Sequence, residues 1–80
     1  LKRAGMTIDQ IDLIEVNEAF AAQSLYVLKK TGWDQSKVNI LGGAIAIGHP
    51  LGMPGVRIIG TAITALEKVN GRYGLATMCV

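Results

Sequence analysis

The sequence predicts an α/β fold in the order strand–helix–strand–helix–strand. Three observations carry this expectation. Short apolar runs at residues 11–16, 38–41 and 73–80 are separated by two stretches with helical periodicity. Glycine stands where the first helix should stop, at Gly32, and the turn "NGRYG" follows the second. Connections of helical length join parallel strands through right-handed crossovers, so the three strands should share a direction.

Taken in order, "LKRAGMTIDQ" reads as a last helical turn closed by Gly5, followed by a loop. "IDLIEV" alternates and then turns apolar, as a short strand does. In "NEAFAAQSLYVLKKTG" Asn17 can cap a helix, Glu18 suits its positive end, and Lys29 and Lys30 suit its negative end. Phe20, Leu25 and Leu28, with Ala21 and Ala22, give that helix an apolar face. "WDQSKVNIL" leads through a loop into a strand near 38–41. From about Met53 to Val69 the pattern is helical again, with Pro54 tolerated in the first turn. Val56, Ile59, Ile63 and Leu66 occupy one side of this helix, and Ile58, Ala62, Ala65 and Val69 occupy others. A helix apolar around most of its circumference is normally buried on several sides, which requires a further layer of structure. "NGRYG" is a turn, and "YGLATMCV" is the third strand.

Composition narrows the function. Eighty residues make one domain at most, with a thin core. The net charge of +2 arises from interspersed acids and bases, which argues against nucleic acid as a partner. A single cysteine, Cys79, excludes an internal disulfide and a multi-cysteine zinc site, and no metal is expected. No apolar run reaches the length of a membrane span. The chain opens without methionine and stops inside an apolar run, so it is expected to be a piece, residues 1–80, of a larger chain.

In a parallel sheet, ligands gather in crevices beyond the carboxyl ends of the strands. Asn17 follows the first strand, His49 lies in the loop after the second, and Cys79 ends the third. Topology alone therefore delivers an amide, an imidazole and a thiol to one edge. His49 is the chain's sole histidine and sits in "GGAIAIGHPLGMPG", where glycines let backbone approach a ligand or other backbone. It is either a general base or a loop histidine bonded to a carbonyl. Cys79 is either a thiol that exchanges a proton or a small apolar side chain in a strand. Asn17 either orients a water or an oxyanion, or caps the helix. "GGAIAIG" lacks both the GxGxxG spacing and the lysine of a phosphate loop.

"VNEAFAAQ", "VNILGGAIAIGHPLG" and "GLATMCV", in this order and spacing, resemble the C-terminal catalytic segment of the thiolases. The resemblance runs through nearly the whole chain. It implies a piece of a layered αβαβα fold and a CoA-dependent acyltransferase, catalysing Claisen condensation or thiolysis of 3-ketoacyl-CoA through an acyl-cysteine. It assigns His49 to activating the nucleophilic cysteine and to an oxyanion hole, Asn17 to holding a water that faces the thioester oxygen, and Cys79 to acid/base work at the substrate α-carbon. Ala19 and Phe20 match residues beside the acyl group. Acyl-CoA and acetyl-CoA would be substrates, with no separate cofactor, in a full-length homodimer or homotetramer. The expected compartment is the cytoplasm, with an organellar matrix as the alternative.

The sequence departs from the family pattern in three places. The nucleophilic cysteine belongs to the family's N-terminal half, so the isolated chain is expected to be inactive. The glycine-rich segment that should follow Cys79 is missing, and Pro54 replaces a small hydroxyl residue. Other readings use the same residues. A ketoacyl-ACP synthase relative shares the fold, but "NEAF" and the second cysteine argue against it. A cysteine hydrolase built on Cys79 and His49 lacks an orienting partner, and a non-enzymatic interaction module remains open.

Overall fold

The structure, a computed structural model, describes residues 1–79. Its centre is β1 (Leu13–Val16), in which all four residues are buried. Both faces of the strand are covered, and only Glu15, on the Leu13 face, is not apolar. Leu13 packs on one side against Ala62, Ala65, Ile40 and Leu66. Ile14 and Val16 pack on the other with Ile11, inside a surround of Met6, Ile8, Trp33, Val38 and Leu75.

After β1 the chain stays extended until α1 (Ala21–Thr31), which Gly32 closes at φ 68°. The expected cap at Asn17 is wrong by one helical turn. The Asn17 N–H continues the sheet ladder to the Thr77 carbonyl at 2.9 Å, and Phe20, in extended conformation, becomes the residue before the helix. Capping would need the Asn17 side-chain oxygen, and Arg57 Nη2 already donates to it at 3.2 Å. No residue of α1 is buried, and Leu25 and Tyr26 stand open to solvent.

The expected strand at 38–41 shrinks to one parallel bridge, Ile14 to Val38. Asn39 explains this. Its backbone turns to φ 48°, and its side chain takes over from the strand. Oδ1 accepts from the Val16 N–H at 2.9 Å, and Nδ2 donates to the Val16 carbonyl at 3.0 Å. One amide thus satisfies both backbone groups that a longer strand would have met. A short helix that periodicity did not suggest follows, α2 (Ala44–Ile47).

The last helix, α3 (Pro54–Val69), starts with proline as expected and ends at Asn70, in the left-handed region at φ 55°. Ile58, Ala62 and Ala65 form its buried stripe, the two alanines lying against β1 beside Leu13. The cover expected over its other faces is not present among the described residues: Val56, Ile59 and Ile63 are 74%, 56% and 55% exposed. The turn before β2 (Gly74–Thr77) is tied down by Asp12, whose Oδ2 accepts the N–H groups of Arg72 at 2.7 Å and Tyr73 at 2.8 Å. Those donors hold the Asp12 carboxyl below its ordinary range. From this anchor β2 runs parallel to β1, Leu13 opposite Gly74 through Val16 opposite Thr77. Strands β1 and β2 and the bridge at Val38 therefore share one direction, as the crossovers predict. The third strand stops at Thr77, so Cys79 lies two residues past its end, and Val80 lies outside the described residues. No helix among the described residues is long and apolar enough to cross a membrane.

Candidate active site

Asn17 leaves the tip of β1 and is 3% exposed. A buried amide requires partners, and it has them on both ends. Its Oδ1 accepts from Arg57 Nη2 at 3.2 Å, and its Nδ2 lies 3.5 Å from His49 Nε2. A guanidinium carries donors only, so the amide must turn its oxygen to Arg57 and its nitrogen to His49. The neutral imidazole then offers Nε2 as acceptor and carries its proton on Nδ1. At 3.5 Å the contact is long for a hydrogen bond, yet short enough for one oxygen to accept from both nitrogens once Nε2 is protonated.

His49 comes from the loop between α2 and α3 and is exposed, its ring standing at the open side of Asn17. The wall leading to it rests on Gly43 and Glu18. The Glu18 carboxylate accepts the Ile45 N–H at 3.2 Å, at the start of α2. A Cβ on Gly43 would fall on that carboxylate and within 2.9 Å of Asn39 Nδ2. Glycine is needed here so that a carboxylate can reach the backbone, not for a ligand. Glu18 is therefore a tether between the β1 tip and α2, where the sequence suggested a first-turn acid of α1.

Among the described residues Cys79 is a free, exposed thiol. It lines a cavity of about 220 Å³ together with Asn17, Val16, Thr77, Val27 and Trp33. Asn17 thus faces His49 on one side and shares a cavity wall with Cys79 on another. The amide stands between the imidazole and the thiol at the carboxyl edge of the sheet. Ala19 and Phe20 sit just beyond, between β1 and α1. Ala19 is half-buried and Phe20 is 74% exposed, and neither joins the hydrogen-bonded group through its side chain.

Two further residues belong to this group. Glu15, one residue before the strand end, is 1% exposed, and its Oε2 has no hydrogen-bond partner. Burial pushes its carboxyl up to about 7, the Arg57 guanidinium opposing that rise and the Glu18 carboxylate adding to it. Arg57 Nε and Nη1 are likewise buried without partners. Both residues carry a sequence signal that went unread. Glu15 is the one acid inside "LIEV", and Arg57 is the one charge in "PGVRIIGTAITAL". A charge inside an apolar run is seldom idle, because burying it unpaired is costly.

Comparison with known proteins joins this geometry to a family. The family described as "Thiolase, C-terminal domain" matches residues 1–80. Over its whole length the chain is 55% identical to an acetyl-CoA acetyltransferase of Syntrophomonas wolfei and 58% identical to a 3-ketoacyl-CoA thiolase of Alcanivorax borkumensis. It covers 21% of each, so it spans about a fifth of the length of these relatives. Among solved structures, the acetyl-CoA acetyltransferase of Bacillus anthracis superposes with a TM-score of 0.95 at 40% identity. Human mitochondrial 3-ketoacyl-CoA thiolase superposes at 0.94 and 46%. Both cover all of this chain, which covers 20% of each of them.

Proposed function

The chain belongs to the thiolase family, as a C-terminal domain, and on that premise we propose that it completes the active site of a CoA-dependent acyltransferase. In the full-length enzyme the reaction is reversible Claisen condensation or thiolysis of 3-ketoacyl-CoA. The observation that carries this reading is the meeting of Asn17 and His49 at 3.5 Å beside the Cys79 cavity.

The chemistry follows from the side chains. A thioester is cleaved by a cysteine outside these residues, because the single cysteine here cannot be both nucleophile and α-carbon base. His49 Nε2 takes the proton from that nucleophile as the thiolate attacks, and the proton leaves with the displaced CoA thiol. Protonation turns Nε2 into a donor that opposes the Asn17 amide. Both N–H groups then point at one oxygen, the thioester oxyanion or a water bonded to it. Cys79 moves the proton to or from the α-carbon of acetyl-CoA in the second half-reaction, and Ala19 and Phe20 flank the acyl chain. CoA thioesters serve as substrates, so no separate cofactor is required. We assign the parent to a homodimer or homotetramer. A free thiol suits a reducing compartment, and we place the parent in the cytoplasm.

The test separates two half-reactions in the full-length enzyme. His49→Ala should abolish acyl-enzyme formation, followed by mass spectrometry. Cys79→Ala should still form the acyl-enzyme and fail to make the carbon–carbon bond. Normal acylation and condensation in both variants would overturn the reading.

A further inference from the structure

Arg57 lies in the first turn of α3 with its guanidinium aimed at the sheet rather than at solvent. Its Nη2 donates to Asn17 Oδ1 at 3.2 Å, while Nε and Nη1 are buried without partners. The buried Glu15 carboxyl lies on the same side of β1 as Leu13, the side that faces α3. A positive group has thus been placed where desolvation is costly, and its one hydrogen bond goes to the amide that meets His49.

We propose that Arg57 is a positioning residue, holding the Asn17 side chain with its oxygen inward and its N–H₂ toward His49 Nε2 and the substrate oxygen. This inference rests on the reading of Asn17 and His49 given above and adds a residue to it. An amide can flip, and a flipped Asn17 would set a carbonyl oxygen against the developing oxyanion. Two like partial charges would then meet where donors are needed. Arg57 prevents the flip because it offers donors alone. Arg57 itself touches neither the reacting atoms nor His49, so its effect must pass through Asn17.

That dependence makes a double-mutant cycle the decisive experiment, carried out on the full-length enzyme. Arg57→Met should lower kcat about tenfold or more with KM little changed, and Arg57→Lys should restore much of the loss. In an Asn17→Ala background, Arg57→Met should change kcat by less than about twofold, because no amide remains to orient. A structural role would instead give the same loss in both backgrounds, and that result overturns the proposal. Should Arg57→Met fail to fold, Arg57→Lys carries the same cycle. Its smaller loss must vanish without Asn17, and an equal loss in both backgrounds again overturns the idea. His49→Ala serves as the control. If it stays active, the thiolase reading fails, whereas an inactive His49→Ala with an additive Arg57 cycle refutes the Arg57 proposal alone.

Discussion

At the end of β1, Asn17 is closed in: its N–H bonds to Thr77, its oxygen is held by Arg57, and its nitrogen meets His49. One strand over, at the end of β2, Cys79 and Met78 stand exposed. The two tips lie side by side in a parallel pair, yet among the described residues one is held by polar contacts and the other is exposed. On the proposed mechanism the difference has a reason. Oxyanion stabilisation depends on donors fixed before the charge appears. On that mechanism the proton carrier works beside those donors, where Cys79 shares a cavity wall with Asn17.

The largest expected effect comes from removing the prepared donor. Asn17→Ala in the full-length enzyme should lower the rate of acyl transfer by about 10²–10³-fold. Asn17→Asp should do no better, since it replaces the amide nitrogen by an acceptor. Stopped-flow measurement of the acylation step checks both, and near-normal acylation in either would remove the contrast between the tips.

A smaller effect concerns the scaffold of the β1 tip. Gly43→Ala sets a methyl group on the Glu18 carboxylate and near Asn39 Nδ2, and should cost about 1–3 kcal/mol. A thermal melt would register it as a lower midpoint. No change would mean that Glu18 tethers α2 less firmly than the 3.2 Å bond to Ile45 implies.

A third effect is a pH dependence. Glu15 is raised by burial to about 7 from an ordinary 4.5, so the folded state retains its proton longer than the unfolded chain does. The favourable contribution of neutral Glu15 is complete below the unfolded value, declines as pH rises from about 4.5 to about 7, and then levels off. Glu15→Gln removes this decline. Melting curves should coincide near pH 4 and diverge by pH 8, with the variant the more stable. Curves that stay parallel would show that Glu15 ionises freely.

Much of this was legible in the sequence. Strand direction followed from crossover length, the ends of α3 from Pro54 and Asn70, and the meeting of Asn17 with His49 from topology. The misplaced elements share a physical cause: a side chain or backbone group served a partner far away in sequence. The Asn17 side-chain oxygen was committed to Arg57, so it did not cap α1, and Asn39 bonded Val16 across the bridge, so the second strand stopped at one residue. Periodicity reads only local neighbours and cannot see such commitments. Arg57 and Glu15 escaped for a related reason, since each makes sense only against the other and against Asn17.

The Asn39 side chain has one more effect. A central strand whose flank is left bare offers a row of hydrogen-bonding groups to any extended peptide that drifts past, and such flanks seed clumping between molecules. By occupying the N–H and carbonyl of Val16 together, this amide closes the last docking position on that flank without adding a strand. Replacing it with alanine should leave the chemistry's residues in place and make the protein stickier, a liability felt during synthesis and storage more than at the reacting thioester.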